Sequence, residues 1–317
     1  MKPKSLLFIG GTGFFGHSIL KFFSNSKTLK KKFRKIIILS RNKLQKYDYF
    51  KQLKKNYKVI KINSDIRNLK KIPNADYVIY AAILNNFKQD YLAVKNYTNL
   101  ALKYNKNSRI LFTSSGAVYG KQNIKGKKIK EDFVFYNKVN KYKSGYKSSY
   151  SYYKLKSEKL FKNLSLQGLR VSVVRCFAFV GEFLPLNSHF VIGNIIQSIL
   201  QKKEIKINAQ YKIYRSYMHA DDLVRWLIKI LKSYNKLFKV YNLGSDDEIS
   251  IQQLAYSLSK KYNLKAVIPK VKLKQVDYYV PNVDKAKKEL NLKIKYSSFN
   301  SIQKTINALL DKNKKNC

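Results

Sequence analysis

The sequence predicts a doubly wound α/β protein, in which a parallel sheet is covered on both faces by helices and followed by a smaller C-terminal lobe. Three observations carry that expectation. Short apolar runs rich in β-branched residues alternate with longer helical stretches as far as Arg175. A glycine-rich segment, Gly10 to Gly16, joins the first apolar run to the first helical one. After Arg175 the alternation gives way to shorter elements and loops.

The predicted strands, in order, are Ser5 to Ile9, Lys35 to Leu39, Lys58 to Ile62, Tyr77 to Ala81, Arg109 to Thr113 and Arg170 to Arg175. Their near-continuous apolar character is that of parallel strands buried on both faces. Between them lie helical stretches that begin at His17, at Tyr91 and at Tyr150, the last two ending near Tyr104 and Leu164. The Lys-rich stretch Lys121 to Lys147 reads as a loop, either a solvated surface or a cover over substrate. Beyond Arg175 come the loop Gly181 to Pro185, a helix near Ile195 to Leu200, and helices near Ile251 to Lys261 and Ile302 to Leu310.

Composition narrows the function classes. The 317 residues carry 65 Lys and Arg against 18 Asp and Glu, a formal charge of +47. Only 8 of those basic residues are arginine, the fork that recognises phosphate bidentately, and the lysines run from Lys2 to Lys315 without clustering. The charge is therefore read as background that attracts anionic ligands, and no nucleic-acid partner is expected. Cys176 and Cys317 are too few for a disulfide framework and have no C-x-x-C spacing, which fits a reducing compartment and no structural metal. No apolar stretch reaches the roughly 18 residues of a membrane span, and the basic start Met1-Lys2-Pro3-Lys4 leads into no cleavage pattern. A cytoplasmic protein without a membrane partner is expected.

Two segments carry chemistry. Gly11-Thr12-Gly13-Phe14-Phe15-Gly16 matches G-x-G-x-x-G, and Gly10, Gly13 and Gly16 give the looser G-x-x-G-x-x-G. Such a loop is either a plain tight turn or a cradle whose backbone N–H groups meet a pyrophosphate; the strand before it and the helix after it favour the cradle, with Gly10, Gly13, Phe14, Phe15 and Gly16 against a dinucleotide. At the end of the second strand stand Leu39-Ser40-Arg41, with no acid to hold a ribose 2′-hydroxyl. Ser40 and Arg41 therefore point to NADP, whose 2′-phosphate an arginine accommodates; NAD stays open because Arg41 also fits as one more surface base.

The second segment pairs Thr113-Ser114-Ser115-Gly116-Ala117-Val118-Tyr119-Gly120, at a strand end, with Tyr150-Ser151-Tyr152-Tyr153-Lys154 downstream. Tyr150 and Lys154 lie one helical turn apart, and an ammonium beside a phenol favours the phenolate that moves a proton. Spacing alone does not choose them: Y-x-x-x-K occurs six times, beginning at Tyr47, Tyr57, Tyr91, Tyr150, Tyr152 and Tyr256. Only Tyr150 and Tyr152 follow the serine-rich strand end at a plausible distance.

In this order, Gly10 to Gly16, Asp65-Ile66-Arg67, Ala81-Ala82, Ser114 to Gly120, Tyr150 with Lys154, Arg215 with His219-Ala220-Asp221-Asp222, and Tyr241 to Ser245 resemble the extended short-chain dehydrogenase/reductases. More narrowly, the chain resembles their nucleotide-sugar epimerases and dehydratases. The resemblance implies a Rossmann dinucleotide-binding domain over 1–178, to which 218–247 returns, and a mainly substrate-binding lobe over 179–317. It implies Ser115, Tyr150 and Lys154 as catalytic residues, Asp65 and Ile66 against the adenine, Ala81 and Ala82 beside the cofactor, and Arg215 on the nucleotide phosphates. Arg215 also has a bland reading as a surface ion pair, and His219 reads as a packed residue. In the family an acid follows the catalytic lysine by four residues; Glu158 does so for Lys154, whereas Lys156 is followed by Leu160, which selects Tyr150.

The chain also departs from the pattern. Ala178 stands where the family places an asparagine near the sugar, and Glu182 where a proline is common, so Asn187, His189 and Asn194 become the candidates for substrate contact. The family's dehydratases carry an Asp-Glu pair directly after the catalytic Ser or Thr; here those places are Gly116 and Ala117. The resulting expectation is a homodimeric 4-epimerase or 4-ketoreductase of a nucleoside-diphosphate sugar, serving polysaccharide biosynthesis. The alternatives are a 4,6-dehydratase and a non-catalytic, dinucleotide-binding regulatory member.

Overall fold

The structure, a computed structural model, describes residues 4–43, 47–84, 86–120, 125–132, 146–186, 190–233 and 238–316. Its first half runs β1 (Lys4–Ile9), α1 (Phe14–Asn25), α2 (Lys27–Lys32), β2 (Phe33–Ser40), α3 (Tyr49–Asn56), β3 (Lys58–Asn63), β4 (Tyr77–Tyr80), α4 (Phe87–Tyr104), β5 (Arg109–Ser115), α5 (Tyr146–Leu166) and β6 (Arg170–Cys176). The chain continues with β7 (Phe179–Val180), α6 (Val191–Leu200), β8 (Ile205–Lys206), β9 (Lys212–Arg215), β10 (Met218–His219), α7 (Ala220–Lys232), β11 (Phe238–Leu243), β12 (Ile249–Ser250), α8 (Ile251–Lys261), β13 (Ala266–Val267), β14 (Val276–Tyr279), α9 (Asp284–Leu290) and α10 (Ser298–Asn316).

Each of the six strands expected from the sequence is present, and β11 completes a seven-stranded sheet in the order β11-β6-β5-β4-β1-β2-β3. The pairs β1–β2, β2–β3, β1–β4, β4–β5 and β5–β6 are all parallel. The order reverses between β1 and β4, which makes this a doubly wound sheet and puts the carboxyl ends of β1 and β4 at the switch point. The central strands are apolar because both faces are covered: Leu6, Leu7, Phe8, Val78, Ile79, Leu111 and Phe112 are fully buried.

The chain forms two compact units. The first comprises 1–120, 134–176 and 224–241; the second comprises 121–133, 177–223 and 242–317. The first unit is the sheet with its helices. The second has its own core, in which Ile192, Ile195, Ile196 and Ile199 of α6 pack with Ile251, Leu254 and Leu258 of α8 and Ile302 and Ile306 of α10. Part of the Lys-rich stretch belongs to this second unit. Ile129 is buried, forms a parallel bridge to Pro281, and its carbonyl accepts from Asn282 N (2.9 Å) and Asn242 Nδ2 (2.8 Å). A loop read from its lysines thus contains an apolar anchor. Among the described residues, no helix is long and apolar enough to cross a membrane.

Candidate active site

The loop after β1 is shaped by glycine for two different reasons. Gly10 has φ +95°, and a Cβ there would fall 2.6 Å from the Ala81 carbonyl carbon and the Ala82 Cα, so the end of β4 passes directly against it. Gly16, in the first turn of α1, is pressed on Gly11, whose Cα would lie 2.7 Å from an added Cβ. Gly13 is different. It is exposed, its φ of −99° and ψ of −173° suit any residue, and a Cβ there meets no atom within 4 Å. Gly13 also caps α1 without a side-chain hydrogen bond, so the first N–H groups of a twelve-residue helix face outward over a backbone free of side chain. The fold needs glycine at 10 and 16; at 13 a glycine fits a loop that an anionic ligand approaches closely.

The neighbouring strand ends complete this edge. Ser40 is buried, with its Oγ donating to the Asn42 carbonyl at 2.9 Å, and its own carbonyl accepts from Ser64 N at 3.0 Å, tying β3 to β2. Arg41 is exposed. Asp65 caps the 3₁₀ turn Ile66–Asn68, and its carboxylate accepts from Arg67 N (2.9 Å), Nε (3.0 Å) and Nη2 (2.6 Å). The Arg67 side chain holds Asp65 below the usual carboxylate range, and the charge of Arg41 adds to the effect. Ile66 is buried under the turn, and its carbonyl accepts from Asn96 Nδ2 at 2.6 Å.

Ser115 ends β5 and caps the 3₁₀ turn Gly116–Tyr119, its Oγ accepting from Ala117 N at 3.1 Å. That bond occupies a lone pair, and the O–H remains available as a donor. α5 is fastened to the same turn: Ser151 Oγ donates to the Ala117 carbonyl at 2.7 Å. This bond fixes the first turns of α5, which carry Tyr150, to the turn that Ser115 caps. The Tyr150 ring lies 5.1 Å from Phe87, and Lys154 Nζ lies 5.8 Å from the centre of the Tyr150 ring. Lys154 is buried, with Asp90 Oδ2 at 3.3 Å from its Nζ. Burial, the largest single effect, pulls the lysine pKa down, but the charge and hydrogen bond of Asp90 together with the charges of Tyr150 and Cys176 outweigh it, and the ammonium is held above its ordinary value.

The rival pair behaves otherwise. Lys156 lies over the rings of Tyr152 (5.0 Å) and Tyr91 (5.3 Å), and Tyr152 packs edge-on to Tyr153, in a half-buried aromatic cluster. Glu158, the acid four residues after Lys154, is fully buried. It accepts from Ser114 Oγ (2.6 Å) and from Arg175 Nε (3.1 Å) and Nη2 (2.8 Å), while Arg175 Nη1 donates to Tyr119 Oη at 3.0 Å. The pair therefore clamps β5, β6, α5 and the 3₁₀ turn beneath Ser115.

In the second unit, Arg215 is engaged within the protein. Its Nη2 donates to Asp277 Oδ2 (2.8 Å) and its Nη1 to Asp277 Oδ1 (3.1 Å) and the Tyr214 carbonyl (2.8 Å). The ion-pair reading of Arg215 is what this geometry displays, and a phosphate reaching it competes with Asp277. His219 is buried, accepts from Asp221 N at 3.1 Å and packs against Tyr296, as a structural residue does. Asn194 is exposed on α6, and Asn187 and His189 lie outside the described residues.

The model of the NAD dependent epimerase/dehydratase family matches residues 6–244. The chain belongs to this family. A UDP-N-acetyl-alpha-D-glucosaminuronate decarboxylase of Bacillus cytotoxicus is 26% identical over 270 residues, spanning 80% of this chain and 79% of that protein. Among solved structures, a UDP-glucose 4-epimerase of Thermotoga maritima with UDP-glucose matches with a TM-score of 0.76 at 18% identity, over 98% of this chain and 99% of that one. A dTDP-glucose 4,6-dehydratase of Bacillus anthracis in complex with NAD matches with a TM-score of 0.74 at 19% identity, over 98% and 97% of the two chains. These likenesses carry the fold of an epimerase/dehydratase family member.

One neighbour of the candidate residue Lys154 escaped the sequence reading: Asp90. The signal was present, because Asp90 shares the buried face of α4 with Ala93, Val94, Tyr97, Thr98 and Ala101, where an acid is out of place without a partner.

Proposed function

We propose that the protein is an NAD(P)-dependent enzyme that oxidises and reduces C4 of a nucleoside-diphosphate sugar, acting as a 4-epimerase or 4-ketoreductase. The observation that carries this reading is the buried Lys154 ammonium beside Tyr150 on a helix pinned to the Ser115 turn. Gly10, Gly13, Phe14, Phe15 and Gly16 would hold the pyrophosphate, Ala81 and Ala82 would flank the cofactor, and Asp65 and Ile66 would lie against its adenine. When bound, the dinucleotide supplies hydride exchange with the sugar carbon. The protein does the rest. Tyr150 exchanges the proton of the 4-hydroxyl, Lys154 stabilises the phenolate, and Ser115 donates a hydrogen bond to the same oxygen. Arg41 supports NADP over NAD, because it stands exposed at the end of β2, where no acid is present to hold a ribose 2′-hydroxyl. In the second unit Arg215 would bind the nucleotide phosphates in exchange for Asp277, with Asn187, His189 and Asn194 as sugar contacts.

Gly116 and Ala117 bear on the dehydratase alternative. Removing water across C5 and C6 needs a further acid and base beside the ketone, and neither residue moves a proton. A second reading, decarboxylation, is favoured by the Bacillus cytotoxicus relative. Oxidising C4 of a nucleotide hexuronate makes a β-keto acid, whose C6 carboxylate leaves as CO2 while its electron pair passes to the C4 oxygen as an enolate that Ser115 and Tyr150 would hold, and C5 then takes a proton from water.

The test is a panel of UDP-hexoses and UDP-hexuronates with added NAD(H) or NADP(H) in deuterated water, monitored by NMR. A product inverted or reduced at C4 with C6 intact is expected, and in Tyr150→Phe turnover falls by about 100-fold or more. Loss of the carboxylate makes the enzyme a decarboxylase, and loss of the 6-hydroxyl with solvent deuterium at C5 makes it a dehydratase.

A further inference from the structure

α4 and α5 meet in two layers at the active site. In one, Phe87 packs on Tyr150 at 5.1 Å between ring centres. One turn further along both helices, Asp90 Oδ2 lies 3.3 Å from Lys154 Nζ, with each side chain 5% exposed. The other carboxylate oxygen, Oδ1, is buried and has no hydrogen-bond partner among the described residues; the hydroxyls of Tyr80 and Tyr97 are in the same condition. A buried carboxylate left half-satisfied is destabilising, and nothing in the packing of α4 requires it, since Ala93, Val94, Tyr97, Thr98 and Ala101 fill the rest of that face.

We propose that Asp90 is a positioning residue for the acid–base pair: its carboxylate keeps the ammonium on Lys154, so that Tyr150 is the member of the pair that gives up its proton. The inference rests on Tyr150 and Lys154 being the proton-transfer pair. Losing one proton from that pair has two possible products, an ammonium with a phenolate or a neutral amine with a neutral phenol, and the two titrate as one coupled system. Burial alone favours the neutral product, which removes both charges. Asp90 reverses this preference because it touches the ammonium directly and reaches the phenol only from the next layer. The same anion makes the first proton harder to remove, so it raises the midpoint of that step while fixing which group releases it.

The surrounding groups do not substitute for it. Burial pushes the phenols of Tyr80 on β4 and Tyr97 on α4 and the thiol of Cys176 on β6 well up, which keeps all three neutral. The charge of Asp65 reaches Tyr80. Among the described residues, Asp90 is the carboxylate that meets the Lys154 ammonium.

The test tracks Tyr150 by NMR in protein labelled at the tyrosine ring carbon bearing the hydroxyl, the resonance being identified by its absence from Tyr150→Phe. It needs no substrate, so its outcome is separate from whether the sugar chemistry is correct. In the wild-type protein the Tyr150 signal is expected to take its whole phenol-to-phenolate change in one step. In Asp90→Asn that step begins at lower pH, by at least half a unit, and takes only part of the full change, because the amine now shares the loss. Asp90→Ser, which removes the charge without adding bulk, is run alongside and is expected to behave in the same way. A folded variant with unchanged midpoint and amplitude overturns the proposal. So does a partial step in the wild-type protein.

Discussion

Of the four glycines at 10, 11, 13 and 16, Gly13 alone is free of any demand made by the fold, and this makes it the informative one to change. A valine at 13 enters an ordinary extended conformation with no atom within 4 Å of its Cβ. Gly13→Val is therefore expected to melt like the wild type and to show no heat of NADP or NAD binding by calorimetry. Gly16→Val is the contrast. Its side chain is driven into the Gly11 backbone, so it is expected to lose stability by about 1–3 kcal/mol or more in denaturant unfolding, as overpacking does. Should Gly13→Val bind either cofactor undiminished, the loop is only a turn. Arg41 is tested in the same assay. If its guanidinium pairs with a 2′-phosphate, Arg41→Ala weakens NADP binding by about 1.5–3 kcal/mol and leaves NAD binding unchanged. Equal effects on both cofactors make it one more surface base.

Among the elements, the clamp formed by Glu158 and Arg175 explains how the Ser115 turn keeps its shape. One carboxylate gathers α5, β5 and β6, and the guanidinium reaches on to Tyr119 at the end of the turn. Glu158→Gln leaves a fully buried arginine without its counter-charge, so it is expected to lose about 3–5 kcal/mol in urea unfolding; a loss below about 1 kcal/mol shows that solvent reaches the pair. The sequence disclosed this clamp only as a spacing, an acid four residues after a lysine, because the partner Arg175 comes from another strand. The same divide between local and distant partners holds elsewhere in the chain. The central strands were legible because buried parallel strands are continuous apolar runs, and the preference for Tyr150 over Tyr152 came from the family resemblance, through the acid four places beyond Lys154. Asp277 on Arg215, Asn242 on Ile129 and Asp90 under Lys154 were not foreseen. Each pairing joins residues distant in sequence, which periodicity and spacing do not reach.

At the scale of the whole molecule, a charge of +47 must be tolerated by the folded state. The scarce acids are engaged locally: Asp65 with Arg67, Asp76 with Lys4, Asp90 with Lys154, Glu158 with Arg175, Asp277 with Arg215 and Asp246 with Lys287. Most lysines are left to repel one another over distances that salt screens, the Debye length falling from about 30 Å at 0.01 M to about 8 Å at 0.15 M ionic strength. Thermal unfolding at pH 7 is accordingly expected to shift upward by several degrees when sodium chloride is raised between those concentrations. Acid works in the opposite direction. Asp65, Asp76 and Asp221 have folded pKa values below the ordinary 3.8, with Asp221 at about 2. The stability they contribute is complete above pH 3.8 and is lost as pH falls toward their folded values, while each protonation also adds to the net positive charge. Melting curves between pH 7 and pH 2 at both salt concentrations check this. The low-salt protein should unfold at the higher pH of the two. If the two acid transitions coincide, long-range repulsion is negligible, and the lysines are as inert in the fold as their even spread along the sequence suggests.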